Sequence, residues 1–90
     1  MQPAPPPPDA TTLHVAVFAG MAELVGGRRL ALDWSGGSVD DLRQLVARRH
    51  PEVAALLARS AVAVDGRYAA DGDPVGSGAD VAIIPPVSGG

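Results

Sequence analysis

One strongly amphipathic segment, residues 38–50, sets the main constraint on the fold. Ser38 is a good N-cap residue and Pro51 cannot continue a helix, so the segment predicts the main helix of the domain. One stripe of the helix carries the apolar side chains of Val39, Leu42, Leu45 and Val46. The long polar side chains lie away from this stripe, at Arg43, Gln44, Arg48 and Arg49. A helix with a single apolar face must bury that face against a second layer.

Short apolar or alternating segments on both sides of this helix predict that the second layer is a sheet. The predicted strands cover residues 13–19, 28–34, 61–64, 67–69 and 80–84, with a helical turn at 20–27 and a second short helical segment at 52–59. The continuous apolar run of the last strand indicates a central strand that is covered on both faces. The predicted fold is therefore α+β, a β-grasp with a mixed sheet of four to five strands packed on one main helix.

Charge and composition exclude several classes of function. The net charge of −3 argues against a nucleic-acid partner, although all seven positive side chains are arginine. Without cysteine there is no disulfide, no thiolate nucleophile and no Cys-ligated metal, and a reducing cytoplasm is the expected location. No stretch has the length and hydropathy of a membrane span, and the first twelve residues do not resemble a signal peptide, so no membrane partner is expected.

No pattern of residues predicts catalysis or metal binding. His14 and His50 have no partner at ligand spacing, and His50 is better explained as the last residue of the main helix. Asp65, Asp71 and Asp73 flank glycines as turn residues do, and the closing Glu of a calcium loop is missing. We therefore expect no bound metal or cofactor, and no enzyme activity of the chain alone.

The two ends of the sequence are unlike the domain between them. Residues 1–12 include four consecutive prolines and predict a disordered segment, with a proline-rich ligand as the less favoured alternative. Residues 13–84 form the predicted domain, and residues 85–90 predict an extended tail. Pro85 and Pro86 cannot continue a β-ladder and favour a stiff polyproline II conformation. Gly89 and Gly90 carry no side chains, so the tail presents a carboxylate to a narrow slot or, in the alternative, is only a flexible end.

Phe18 is the remaining ambiguous position in the first strand. The alternation of that strand directs Phe18 away from the face of Leu13, Val15 and Val17. An exposed phenylalanine would mark a contact surface, whereas a covering helix would bury it. The sequence leaves both alternatives open.

Four segments of the sequence, residues 18–26, 38–43, 62–66 and 80–90, resemble the MoaD/ThiS ubiquitin-like sulfur carriers. The similarity covers residues 13–90, and the closing Pro-Pro-Val-Ser-Gly-Gly is most similar to the MoaD branch, the small subunits of molybdopterin synthase. Ile83 and Ile84 stand where some members have aromatic residues. The resemblance implies that these two residues and Phe18 are candidates for the interface with a partner.

The resemblance also implies a mechanism centred on Gly90. A ubiquitin-activating-type adenylating enzyme would use ATP to adenylate the Gly90 carboxylate, and a sulfur donor would convert it to a thiocarboxylate. The tail would then enter a channel in the large synthase subunit, where sulfur passes to a cyclic pyranopterin. The residues that bind in this channel would be Pro85, Pro86, Val87, Ser88 and Gly89. Catalytic acids and bases would belong to the partners. Two alternatives stay open: a sulfur carrier for another pathway, such as thiamin thiazole or cysteine biosynthesis, and a ubiquitin-like protein modifier.

Overall fold

The computed structural model of the protein describes residues 12–86. The predicted disordered segment up to residue 11 and tail residues 87–90 lie outside the described residues. The described chain folds in the order β1 (Thr12–Val17), α1 (Ala19–Val25), β2 (Arg29–Asp33), β3 (Gly37–Ser38), α2 (Val39–Arg49), a 3-10 turn (Pro51–Val53), α3 (Ala54–Ala58), β4 (Ala61–Val64), β5 (Arg67–Ala69), β6 (Pro74–Val75) and β7 (Val81–Ile84). The first strand thus begins at Thr12, one residue before its predicted start.

Five of the strands form one mixed sheet in the order β2-β1-β7-β4-β5. The central pair, β1 and β7, is parallel, and the pairs β1–β2, β4–β7 and β4–β5 are antiparallel. The short strands β3 and β6 pair separately. The main helix α2 packs on one face of the large sheet, which confirms the predicted α+β β-grasp.

The core lies between the sheet and α2. Alternate residues of β1 point into it, and α2 contributes its apolar stripe. The buried side chains of these two elements are Leu13, Val15, Val17, Val39, Leu42 and Val46. Leu45, predicted on the same stripe, is only half-buried. Met21 from α1 and Leu57 from α3 complete the same core, so the buried side chains of all three described helices lie on one side of the sheet.

Strand β7 is central, as predicted, but only one of its faces is fully covered. Val81 and Ile83 are almost completely buried, whereas Ala82 and Ile84 are half-buried. The prediction of coverage on both faces is therefore wrong. The physical reason is that the described helices all pack on one side, which leaves the second face of the sheet as an outer surface.

Trp34 attaches the small β3–β6 pair to the core. Its side chain is buried, and its Nε1 donates a hydrogen bond to the carbonyl oxygen of Val75 at 3.1 Å. Gly37 has φ of 154°, and a Cβ at that position would lie 3.0 Å from the indole ring. The close packing of the ring on β3 therefore requires glycine there.

Ser38 caps α2 through a reciprocal pair of hydrogen bonds. The Asp41 backbone N–H donates to Ser38 Oγ, and the Ser38 backbone N–H donates to Asp41 Oδ2, both at 3.0 Å. These bonds lower the pKa of the Asp41 carboxyl below its ordinary value of 3.8, and the bond from the Ser38 backbone N–H has the larger effect. The sequence predicted Ser38 as the cap, and the structure adds Asp41 as its partner.

The Asp41 carboxylate should make stability depend on pH in the acid range. Because its pKa is lower in the folded chain, its charge stabilises the fold above pH 3.8, and that contribution is lost as the pH falls through the lower folded value. Urea unfolding of the wild type and of Asp41→Asn should therefore differ near neutral pH and converge in acid. The control Asp40→Asn removes a charge from the same helical turn without touching Ser38. An Asp40→Asn profile identical to that of Asp41→Asn would contradict the assignment.

Ile83 and Ile84 are neighbours in sequence but should differ in their effect on stability. Ile83 is 1% exposed, so Ile83→Ala leaves a cavity and should lower the free energy of unfolding by about 2–5 kcal/mol. Ile84→Ala on the half-buried side should cost clearly less. Chemical denaturation of the two variants measures the difference, and equal losses would contradict the burial pattern of β7.

Candidate functional site

The chain leaves the sheet from its centre, at residues 84–86, which we term the tail exit. Val17 of β1 lies opposite Ile83 on one side of β7, and Ala61 of β4 lies opposite Ile84 on the other. Pro85 is half-buried and Pro86 is exposed, and neither belongs to a strand. The predicted channel-binding residues Val87, Ser88 and Gly89 and the predicted reactive Gly90 lie outside the described residues. The described structure therefore fixes where the tail begins.

Arg43 braces the backbone beside the tail exit. Its Nη2 donates a hydrogen bond to the carbonyl oxygen of Ser60 at 2.7 Å, and its Nη1 donates to the carbonyl oxygen of Leu57 at 2.8 Å. Its Nε lies 3.0 Å from Oδ1 of Asp71. All three contacts use the planar fork of the guanidinium, which a lysine cannot reproduce. The helical pattern predicts Arg43 away from the apolar stripe of α2, and in the structure only 21% of its side chain is exposed.

Ser60 is the polar residue that Arg43 holds next to β4. It is buried, and its hydroxyl donates a hydrogen bond to the carbonyl oxygen of Leu56 at 2.8 Å. With both its hydroxyl and its carbonyl paired, Ser60 fixes the start of β4, whose first residue Ala61 lies opposite Ile84. Sequence patterns give no signal for this link, because an arginine on a helix is normally solvated.

Phe18 is exposed at the end of β1, which answers the question that the sequence left open. Half of its surface (50%) is accessible, and Leu24 of α1 has the same exposure. Ala19 has a positive φ of 51°, an uncommon conformation for alanine, and it turns the chain sharply as α1 begins. Phe18 directly follows Val17, which lies opposite Ile83 in the parallel register of β1 and β7. An apolar side chain thus lies next to the tail exit.

The two isoleucines proposed as interface residues lie on opposite sides of the sheet. Ile83 points into the core and has almost no accessible surface, so it is assigned to packing and not to an interface. Ile84 is half-buried on the outer side, beside the half-buried Pro85. The physical reason is the two-residue period of a strand, which separates neighbouring side chains to opposite faces. Of this pair, only Ile84 remains an interface candidate.

The outer side of the sheet forms a shallow surface that we term the open face. Its centre is a row of cross-strand partners, in which Ala16 lies opposite Ala82 and Ala82 lies opposite Ala63. Tyr68 continues the row and is 74% exposed. The side chains of the open face are His14, Ala16, Arg29, Ala31, Ala61, Ala63, Tyr68, Ala82 and Ile84. Since most of them are alanines, this surface is flat enough for a second protein to pack closely on it.

A cleft of about 370 Å³ lies at one side of the open face. Its polar side chains come from two strands and from the loop before β7, and they are Thr12, His14, Arg29, Ser77 and Asp80. In residues 12–86 no cluster of three or more His, Asp or Glu side chains could hold a metal ion. A helix that could span a membrane does not occur in that part of the chain either.

The profile of the ThiS family matches residues 15–90, which is most of the chain and includes the tail exit. The chain belongs to the ThiS family. This confirms the resemblance to the MoaD/ThiS carriers that the sequence motifs indicated. No curated protein sequence matches the chain.

Several solved structures are similar to this ThiS-family chain. SAMP1 from Haloferax volcanii is 27% identical, with a TM-score of 0.75, over 88% of this chain and 99% of that one. A Pyrococcus furiosus protein described as a candidate subunit 1 of molybdopterin converting factor is 26% identical, with a TM-score of 0.74, over 86% of this chain and 99% of that one. The HVO 2177 protein of Haloferax volcanii shows the same fold. It is 21% identical, with a TM-score of 0.71, over 98% of this chain and 94% of that one.

These comparisons place the chain among ubiquitin-like β-grasp proteins. The family is one of sulfur carriers, and the Haloferax neighbour is a small archaeal modifier protein. Carriers of this kind work together with partner enzymes. The site described above fits that role, because it combines an exposed apolar residue and a flat face with the point at which the tail leaves the sheet.

The Arg43 brace can be tested by a conservative substitution in this ThiS-family protein. Arg43→Lys keeps the charge but loses the fork, so two carbonyl oxygens and Asp71 lose their shared partner. The free energy of unfolding in urea should fall by about 1–3 kcal/mol. Arg48→Lys, the same change at an exposed position of α2, should stay within about 0.5 kcal/mol of the wild type. Equal losses of unfolding free energy in the two variants would show that the contacts of Arg43 do not stabilise the fold.

Proposed function

We propose that this ThiS-family chain is the sulfur-carrier subunit of a molybdopterin synthase, active in molybdenum cofactor biosynthesis. The observation that carries the proposal is the combination of a central, braced tail exit with a sequence that continues from it as Pro-Pro-Val-Ser-Gly-Gly. The likeness to the Pyrococcus furiosus protein described as a candidate subunit of molybdopterin converting factor supports the choice of pathway. In this proposal the chain carries sulfur, and its partner carries out the catalysis.

The reacting group is the carboxylate of Gly90. A carboxylate is a poor electrophile, so an adenylating enzyme of the ubiquitin-activating type first joins it to the AMP part of ATP and releases pyrophosphate. A sulfur donor then attacks the carbonyl carbon, AMP leaves with the electron pair of the broken bond, and a thiocarboxylate remains. ATP is a substrate of the partner in these steps, and no cofactor resides on the carrier. Glycine suits both attacks because no side chain crowds the carbonyl.

The residues between the sheet and Gly90 deliver the thiocarboxylate to the second partner. Pro85 and Pro86 restrict the backbone where it leaves the sheet, which lowers the entropy lost when the tail becomes ordered in a channel. Val87, Ser88 and Gly89 then pass through the channel of the large synthase subunit. There the sulfur is transferred to a cyclic pyranopterin monophosphate, with acids and bases that the large subunit provides. ATP-dependent activation and a chain without cysteine both fit the cytoplasm as the compartment.

A second function is favoured by the likeness to SAMP1. A modifier would use the same adenylate but transfer Gly90 to a lysine amine of another protein, forming an isopeptide bond and releasing AMP. A carrier for thiamin thiazole or cysteine biosynthesis would share the thiocarboxylate and differ only in the protein that accepts the sulfur. The modifier therefore differs from the carriers at the step after activation, and the carriers differ from one another at the transfer of sulfur.

The deciding experiment is intact mass spectrometry of the chain after incubation with the adenylating enzyme, ATP and a sulfide donor. Replacement of one oxygen by sulfur, reversed when the large subunit and cyclic pyranopterin monophosphate are added, is the expected result. A thiocarboxylate that persists on this challenge would overturn the molybdopterin assignment and leave a carrier for another pathway. Conjugates to lysines of other proteins, with no thiocarboxylate, would favour the modifier instead.

Substitution of Gly90 should separate the chemistry from the fold. Gly90→Leu crowds the carbonyl that is attacked, so formation of the thiocarboxylate should fall below detection by mass spectrometry. The matched control is Gly72→Leu, since a Cβ at Gly72 meets no atom within 4 Å. Both variants should unfold at the urea concentration of the wild type, followed by the fluorescence of Trp34. Normal sulfur loading of Gly90→Leu would exclude the proposed chemistry.

A further inference from the structure

The arginines of this acidic chain are unevenly distributed over the sheet. The net charge is −3, yet three exposed arginines, Arg28, Arg29 and Arg59, lie at the end of the sheet from which the tail leaves. The opposite end carries Asp33 at the end of β2. Two further aspartates lie there, in the turn after β4 and just before β7. A uniformly charged surface would not direct a partner to either end.

Backbone pairing places these arginines on both sides of the tail exit. The carbonyl oxygen of Arg28 accepts a hydrogen bond of 2.9 Å from Val17, the last residue of β1. Arg29 lies opposite Ala16 in the antiparallel β1–β2 register. On the other side, Arg59 immediately precedes Ser60, which Arg43 holds at the start of β4. The tail exit thus lies between two positively charged segments.

These three charges are available for an external partner. In residues 12–86 the ion pairs are Arg43 with Asp71 and His50 with Glu52, and neither involves Arg28, Arg29 or Arg59. Asp71 and Asp73, in the turn after β5, lie at the same end of the sheet. Asp71 is bound to Arg43, and Asp73 Oδ2 accepts a hydrogen bond from the backbone N–H of Ala70. Arg28, Arg29 and Arg59 are thus exposed and form no ion pair within the described part of the chain.

We propose that Arg28, Arg29 and Arg59 bind acidic side chains of the adenylating enzyme, around the site at which that enzyme receives the tail. The inference rests on the proposed function and names the chemistry of the partner surface. Attraction between the arginines and these carboxylates orients the carrier so that its tail approaches first. Phe18 and Ile84 supply the apolar centre of the contact, and the arginines supply its polar rim.

Arg29 has a second feature that fits a carboxylate from the partner. It lines the cleft of the open face together with His14, Thr12 and Ser77, which offer hydrogen-bond donors beside its guanidinium. The cleft also contains the carboxylate of Asp80, so a partner carboxylate at Arg29 would meet one negative group there. The planar fork of arginine binds a carboxylate through two parallel hydrogen bonds, which gives this position directional as well as electrostatic selectivity.

The test compares two triple variants that remove the same charge. The first variant neutralises the tail-exit end through Arg28→Gln, Arg29→Gln and Arg59→Gln. The second variant neutralises three arginines elsewhere, through Arg48→Gln, Arg49→Gln and Arg67→Gln. Pyrophosphate release by the adenylating enzyme is measured as a function of carrier concentration at low and high salt. For the first variant we expect the KM for the carrier to rise about tenfold at low salt, with kcat unchanged and a weaker salt dependence. The second variant should resemble the wild type.

The possible outcomes separate this inference from the proposed function. Equal KM values for the two triple variants would mean that only net charge matters, and would overturn the inference while leaving the carrier function intact. A wild-type chain that is never adenylated would overturn both. Single variants Arg28→Gln and Arg59→Gln, each expected to raise KM about twofold, provide the test should a triple variant unfold.

Discussion

The parallel pairing of β1 and β7 is the contact on which the rest of the structure depends. It joins residues far apart in the sequence, Val15 with Val81 and Val17 with Ile83, and these four side chains are buried in the core. Each partner also pairs on its other edge, so the whole sheet is built outward from this contact. The same pairing places the end of β7 in the middle of the sheet. Stability and the position of the tail exit thus have one physical origin.

Much of the fold follows from local patterns in the sequence. The stripe of α2, its Ser38 cap and the alternation of β1 predicted their elements, because each pattern has the period of its structure. The turn at Asp65 and Gly66 was predicted as well, and both residues have the positive φ that such a turn needs. The β3–β6 pair was not predicted, since two-residue strands have no period to detect. Its attachment depends on Trp34 and Val75, which are distant in sequence.

The candidate site was only partly predictable for a related reason. Prolines and glycines mark the tail through their own backbone restrictions, so its role can be inferred without neighbours. The assignment of Ile83 to the core and Ile84 to the outer side requires the face of the sheet to be known. The brace of Arg43 depends on carbonyl oxygens of other segments, and no side-chain pattern encodes them. Contacts between distant segments are therefore the part that sequence patterns leave undetermined.

The alternation of core and open face along β1, β4 and β7 has a consequence for how this family diversifies. On the outer side of the sheet Ala82 lies opposite Ala16 on one side and opposite Ala63 on the other, while their sequence neighbours fill the core. A substitution at these positions changes the shape offered to another protein and leaves the buried layer as it was. Relatives with one scaffold can thus acquire different physiological roles through changes on one side of one sheet.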